Sequence, residues 1–487
     1  MDSYALTASE IINLVLCGVI FLLYSILREQ PSNVRVYFRG RLASRCWTFE
    51  ANEKELLRMG GMDALVFHRI IVFSIKIFAV VTVFGGILVF QVNYFDQLNC
   101  HDRSLKVFTI ENVKEGSRWL WTYCLGLYII TCSACILLYI EYKNIAKIRR
   151  AHLTGSPTNP SHFTVLVHAI PWSSEESYSD SVKKNFTNYY LSHQMVYQPE
   201  RIEKSMDGAS AFVSFKTRYA AAAARHVRLS SNPMLWVTKM APEPQDVDWS
   251  NLDRPFRQFW TRKMGTLVAT IAFIFVFLYP MAFVQVLTQL DELEKTYLVQ
   301  KAFPFLGELL KISICRSTNY DAIFKTRGVG FFTTFVLMYG WISLACEAIQ
   351  ISALFRNLGK RFIQRIRDDS SNETLSFQYH KEVPRLLLFG FLGFICSILA
   401  PSILAFVWAY FMLAYFVYRN QIVNVYTSKH DTGGQFWPLV HNTTIFSLII
   451  TQITTLGAFG IKRSPVASGF TIPLIICTLI VNEISDY

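Results

Sequence analysis

The stretch Gly328–Ile351, GVGFFTTFVLMYGWISLACEAIQI, carries no formal charge until Glu347. A helix of about 20 largely apolar residues crosses a bilayer with every backbone amide paired internally, and lipid tolerates little else. The stretch therefore reads as one membrane span. Glu347 lies near the end that precedes the basic run Arg356, Lys360, Arg361, Arg365 and Arg367. An ionisable group inside a span is costly and faces a bundle interior or a watery path, which makes it a functional candidate. The plainer reading puts it at headgroup level, paired with Arg356 or Lys360. Gly328, Gly330 and Gly340 thin the helix, which suits close packing and also suits a bend.

On the C-terminal side, the 33 residues from Leu386 to Tyr418 would span about 50 Å as one helix, too long for a 30 Å core. Pro401 near the middle favours a hairpin of two short spans. Thr443–Ile461 and Pro465–Val481 supply two more. On the N-terminal side, Asp291–Thr326 is broken too often by Lys295, Lys301, Lys311, Arg316, Asp321 and Lys325 to cross a bilayer. Leu267–Leu290 is apolar enough, with Pro280, Gln285 and Gln289 inside it.

Residues 161–249 follow a different grammar, that of a soluble α+β domain. HFTVLVHAI, MVYQPERI, GASAFVSF and MLWVTKMAP read as strands, and PWSSEESYSDSVKKNFTNYYLSH and TRYAAAAARHV as helices. The order β-α-β-β-α-β is that of a ferredoxin-like module, the shape of RNA-recognition motifs. Phe212 and Phe215 have the spacing of a base-stacking strand. Met206-Asp207-Gly208-Ala209 stands where basic and glycine residues would be expected, so a structural or coupling role is favoured and no nucleic-acid partner is expected.

Ala5–Leu27, Val66–Val92 and Arg118–Ile140 complete the set, giving nine spans. Arg28, Arg35, Arg39, Arg41 and Arg45 follow the first, and Lys143, Lys147, Arg149 and Arg150 follow the third. The positive-inside rule then puts the N-terminus outside and both residues 161–249 and the C-terminus in the cytosol. Three regions result: 1–150 with three spans, 161–249 soluble, and 260–487 with six spans. The first segment reads as an uncleaved anchor.

Composition agrees with a polytopic helical membrane protein: 52% of 487 residues are hydrophobic, 39 are phenylalanine, and the +12 net charge clusters at span ends. Cys132 and Cys135 form a CxxC inside an apolar helix, where packing explains them better than metal or redox work. A Cys100–Cys315 disulfide between outer segments is open. Phosphate-binding glycine loops, HExxH and GxSxG are absent from the sequence, so neither an enzyme nor a cofactor is implied. The sequons at Asn185, Asn372 and Asn442 fall on cytosolic or membrane-edge positions, where glycosylation is not expected.

Several ordered motifs carry a resemblance. They are Tyr24-Ser25-Ile26-Leu27-Arg28 with Pro31 and Asn33, then Met62-Asp63-Ala64, Phe108-Thr109-Ile110-Glu111-Asn112, and Pro160-Ser161 with Ile170-Pro171-Trp172. Ala241-Pro242-Glu243-Pro244, the block from Glu382-Val383-Pro384-Arg385 to Val425, Gly433-Gly434-Gln435-Phe436-Trp437-Pro438 and His441-Asn442-Thr443-Thr444 continue it. In these the chain resembles the plant hyperosmolality-gated calcium-permeable (OSCA) channels. The resemblance implies an anoctamin-like helical arrangement, a homodimer joined through the cytosolic domain, and a calcium-permeable cation pore in each subunit opened by membrane tension, by expectation in the plasma membrane. It would make Gly328–Ile351 the pore helix, with Phe331, Phe332 and Tyr339 at the neck, Gly340 the hinge and Glu347 at the cytosolic mouth. Gln285 would face the same path.

The chain departs from that family in three places. Two of about eleven spans are missing between Leu306 and Gly328, where the pore gains two of its five lining helices. The first cytosolic loop keeps little of a membrane-dipping hook beyond Trp47 and Phe49, and the soluble domain lacks a long insertion before its third strand. Besides a tension-gated channel, two other readings stand: a non-conducting subunit that modulates full-length partners, and a furrow that moves lipid.

Overall fold

The computed structural model describes residues 3–30, 33–38, 53–89, 113–155, 160–171, 176–196, 209–242, 257–266, 335–355, 376–427 and 431–485, with a few omissions inside these ranges and some short pieces between them. The chain forms two compact units, Met1–Ala151 with Gln300–Tyr487, and His152–Val299.

The larger unit is helical. Its elements are α1 (Ser3–Glu29), α2 (Val34–Tyr37), α3 (Glu53–Phe84), α4 (Leu120–Gly155), a π-helical turn (Val336–Trp341) running into α7 (Ile342–Ile349), α8 (Tyr379–Leu399), α9 (Leu404–Asn424), α10 (Trp437–Ile461) and α11 (Pro465–Ser485). Eight helices among the described residues are long and apolar enough to span a membrane. All of the ninth expected span, Leu267–Leu290, apart from Val268 and Ala269 lies outside the described residues, as do Asp291–Thr326, Cys100 and Cys315.

The break at Pro401 is a hairpin. Ala400 leaves the helical region (φ −149°, ψ 75°) and Pro401–Ile403 forms one 3₁₀ turn. Phe389 meets Tyr410 with ring centroids 4.2 Å apart, and the Tyr418 hydroxyl donates to Glu382, so residues equally far from Ala400 face each other. The two arms are not short: each has 21 residues. A polar turn, with Glu382 ion-paired to Arg385 at 2.8 Å, carries α8 beyond the apolar run at its start.

α3 packs along α9, with Phe78 stacked on Phe411 (5.3 Å) and Phe67 edge-on to Tyr418 (5.2 Å). The helix starts at Glu53, well before the expected Val66, and kinks at Gly61, whose φ of 75° suits glycine. Asp431 makes that kink a new helix start, accepting from Met62 N (2.6 Å) and Asp63 N (3.1 Å). Asp63 accepts in return from Thr432 N (2.8 Å) and Gly434 N (2.7 Å). Two motifs separated by some 370 residues in sequence thus cap each other. Deeper along α3, Arg69 and Lys76 both reach the buried Glu141 of α4, at 3.2 and 3.1 Å. Cys132 and Cys135 are free thiols on α4.

The smaller unit is a four-stranded antiparallel sheet of order β2-β3-β1-β4, with β1 Thr164–Ile170, β2 Tyr190–Val196, β3 Ala209–Phe215 and β4 Val237–Met240. α5 (Tyr178–Asn185) joins β1 to β2, and α6 (Arg218–His226) joins β3 to β4. Ser177 and Thr217 cap the two helices. β2 begins earlier than the sequence pattern places it, because α5 stops at Asn185 and the β-prone Tyr190-Leu191 pair starts the edge strand. His193 of β2 then bonds Ser179 of α5 at 2.9 Å. Val165, Val213 and Val182 pack between sheet and helices. The other sheet face carries Leu166, His168, Ser210 and Phe212. There Ser210 Oγ donates to Leu252 O at 3.1 Å and Lys239 lies over the Phe259 ring at 4.8 Å.

Candidate functional site

The Val336–Trp341 turn is π-helical, a geometry that loosens one turn of a helix and concentrates at functional positions. Aromatic packing holds it open. Phe335 stacks on Tyr339 (5.3 Å), and Phe389 lies 6.0 and 6.3 Å from the two. Gly340 sits against α8 and α9: a Cβ there would stand 3.0 Å from Tyr410 Cδ2 and 3.1 Å from Phe389 Cζ. Any side chain would push the turn off its bed.

The far end of the same helix is tied down. An α-helix leaves its last carbonyls without intrahelical partners. Here Tyr37 OH donates to Ile349 O (2.8 Å) and Gln421 Nε2 to Ala348 O (2.9 Å), so α2 and α9 fill that role. Gln350 caps the end in the left-handed region at φ 54°. Glu347 lies on this pinned turn, half-buried. Its Oε1 accepts from Tyr426 OH (2.5 Å) and from Gln350 Nε2 (3.1 Å), and Gln350 Nε2 also donates to Tyr426 OH (2.7 Å). Burial and then the Glu347 carboxylate push the Tyr426 hydroxyl well above its ordinary range, so it stays a donor.

Tyr339, Gly340 and Glu347 thus share one segment, loosened at one end and anchored at the other. Phe331, Phe332 and Gln285, and the bases Arg356 and Lys360 considered as partners of Glu347, lie outside the described residues. Three residues that carried no individual role in the sequence reading join the site. Arg385 lies 5.9 Å from the Tyr339 ring centroid, Glu382 pairs with Arg385, and Tyr418 binds Glu382. The signal available was an acid and a base three apart, Glu382 and Arg385, at the start of an apolar run.

A set of long apolar helices with acids, bases and amides between them defines a polytopic integral membrane protein, here with a small antiparallel α/β unit. Three family models match it: "Calcium-dependent channel, 7TM region, putative phosphate" over residues 328–459, "Late exocytosis, associated with Golgi transport" over 5–141, and "Cytosolic domain of 10TM putative phosphate transporter" over 200–251. The chain is 41% identical to hyperosmolality-gated Ca2+ permeable channel 2.1 of Arabidopsis thaliana, covering 99% of this chain and 86% of that protein. It is 40% identical to channel 2.2 (99% and 84%) and 30% identical to channel 2.3 (98% and 91%) of the same plant. The chain belongs to the hyperosmolality-gated Ca2+ permeable channel (OSCA) family. It is a shortened member. The first alignment runs over 652 positions against a chain of 487 residues, so at least 165 positions have no residue here. Only residues 197–208 separate β2 from β3.

Proposed function

We propose that this chain is a subunit of a calcium-permeable cation channel that opens when hyperosmotic stress or stretch raises membrane tension. The observation that carries the reading is the Val336–Glu347 segment: a π-helical turn at Gly340 followed by a carboxylate on a pinned last turn. Converting one π turn to α rotates the residues on one side of it by about 100°, enough to swing Tyr339 and, beyond it, Phe331 and Phe332 against a fixed Glu347. Gly340 is then the hinge, and Gln285 faces the path from its own span. Relatives named hyperosmolality-gated Ca2+ permeable channels support calcium as a permeating ion.

The finer architecture belongs to the same proposal. The sheet order and the β-α-β-β-α-β sequence support a ferredoxin-like cytosolic domain at 161–249. Leu252 and Phe259 on the face that carries Phe212 favour coupling over RNA stacking. An anoctamin-like arrangement of regions 1–150 and 260–487, a homodimer joined through the domain, surrounding lipid as partner and residence in the plasma membrane complete the reading. Its orientation has the N-terminus outside and the C-terminus in the cytosol. Epitope tags at both ends check this: the N-terminal tag is expected to label on intact cells and the C-terminal tag only after permeabilisation. The reverse pattern removes the assignment of Glu347 to a cytosolic mouth.

Glu347→Gln tests the pore assignment. One charge about 7 Å from a passing ion, in water-like dielectric, contributes roughly 0.6 kcal/mol, or about a threefold change in local cation concentration. In a form of the chain that conducts, such as one with the pair of spans restored, single-channel cation conductance is expected to fall about two- to threefold at low ionic strength and by less at high salt. Equal conductance at low salt would return Glu347 to a purely structural partner of Tyr426 and Gln350. The second reading, a non-conducting subunit that modulates longer partners, is favoured by the 165 or more absent positions. Exchange of labelled lipid without current would favour the lipid furrow.

A further inference from the structure

Helices α3, α8 and α10 each turn one face toward a narrow slot between them. On α8 the slot residues Leu386, Gly390 and Phe394 recur every four positions, the spacing of a single helix face. Gly390 stands in the middle of that face, and a Cβ there would meet nothing within 4 Å. Packed interiors leave few such gaps, because atoms beside a void forfeit their dispersion contacts. The space measures about 360 Å³, counting the part open to the outside of the bundle. Phe391, on its lining, stacks on Phe446 of α10 at 6.3 Å, and Phe446 is 52% exposed. The slot therefore reaches the surface that these spans present to lipid.

Its chemistry is apolar in spite of four hydroxyls. Ser74, Thr443, Thr444 and Ser447 donate to the carbonyls of Ile70, Leu439, Val440 and Thr443 on their own helices, at 2.7 to 2.9 Å. Each hydroxyl proton is thereby used, and only lone pairs, methyl groups and rings face the slot. A phosphate or a carboxylate would find no N–H or O–H there to bind it. Hydrocarbon meets no such obstacle. Inside a bilayer it is the material at hand, and filling the void restores the missing dispersion contacts.

We propose that one acyl chain of a membrane phospholipid occupies this slot and completes the packing of α3 against α8 and α10. The acyl chain takes the place of the side chain that Gly390 lacks. Its binding rests on the membrane setting of the protein and is independent of whether the protein conducts.

The test places the full protein in nanodiscs containing a phosphatidylcholine with a photoreactive diazirine midway along one acyl chain, and maps the adducts by peptide mass spectrometry. Ser74 and Ser447, only 8% and 2% exposed, are expected to carry adducts alongside the outward-facing Phe446. Gly390→Leu fills the slot with protein atoms. It is expected to lower the adducts on Ser74 and Ser447 about tenfold and to leave those on Phe446 within about twofold. Gly390→Ala, the milder change, is expected to lower them about two- to threefold. Gly457→Leu, at an exposed position of α10 where a Cβ also meets nothing within 4 Å, adds the same bulk away from the slot and is expected to change neither. Adducts on Phe446 but not on Ser74 or Ser447 in the parent would overturn the proposal and mark the slot as empty or filled by the protein itself. So would equal labelling of Ser74 and Ser447 in the parent and in Gly390→Leu.

Discussion

Asp63→Ala is expected to destabilise the membrane unit by about 3–5 kcal/mol, a large share of the 5–15 kcal/mol that holds a typical domain together. The Asp63 carboxylate is the acceptor for Thr432 N, Thr432 Oγ1 and the buried Gly434 N, at 2.7 to 3.0 Å. Removing it orphans two backbone donors, each costing about 1–3 kcal/mol when water cannot replace the partner. Asp431→Ala orphans Met62 N, Asp63 N and Gly433 N in the same way and is expected to cost a similar amount. The double variant should cost clearly less than the two single costs together, because each carboxylate holds the other's donors in place. Asp63→Asn keeps one acceptor oxygen but turns an amide donor towards N–H groups, so it should recover little. The measurement is the temperature at which the detergent-solubilised protein loses its monodisperse gel-filtration peak. A fall of roughly 5 °C or more is expected for each single variant. A midpoint within about 1 °C of the parent for Asp63→Ala would mean that the clasp contributes nothing net.

Spans proved legible in the sequence, and their ends did not. Length and apolarity mark α1, α3, α4 and α8 to α11, because a bilayer imposes a fixed length on any run without charge. Pro401 marked the hairpin for an equally local reason, the missing amide and fixed φ. The start of α3 escaped because its determinant is remote: Asp431, some 370 residues on, supplies the cap that allows a helix to restart after Gly61. The start of α8 escaped because Glu382 and Arg385 look like loop residues until they pair with one another and with Tyr418. In the smaller unit, β2 was displaced because α5 and the edge strand compete for the same residues, and a tertiary bond, His193 to Ser179, accompanies the outcome.

The candidate site divides along the same line. Glu347 stands out from sequence as the single carboxylate of its span, and Gly340 as a glycine within it. The π turn does not stand out, because it follows from Phe389 and Tyr410 closing on Gly340 from two other helices. Nor do the partners of Glu347: Tyr426 lies 79 residues away, two residues past the end of α9. A local pattern can nominate the residue that carries charge. The groups that orient it come from wherever the bundle brings them.

The largest functional effect expected concerns what the chain lacks. A pore wall that loses two of five helices either opens to lipid or collapses, since each polar wall group left without a partner in hydrocarbon costs several kcal/mol. On the pore reading proposed above, Gln285 would be such a group. Asp291–Thr326, with its ten charged residues, cannot replace the missing helices and should lie at the outer surface. The unmodified chain, expressed in cells without other mechanosensitive channels and patched under graded suction, is therefore expected to give currents at background level. It should still dimerise through the domain at 161–249, which cross-linking in the same cells would report. Inserting the pair of spans of a longer relative between Leu306 and Gly328 is expected to restore tension-evoked cation current. In that restored chain, Gly340→Leu should suppress opening, because a Cβ alone already meets Tyr410 and Phe389 at 3.0 and 3.1 Å. Robust tension-evoked current from the unmodified chain, abolished by substituting Phe331 and Phe332, would mean that three walls and the lipid suffice to form the path.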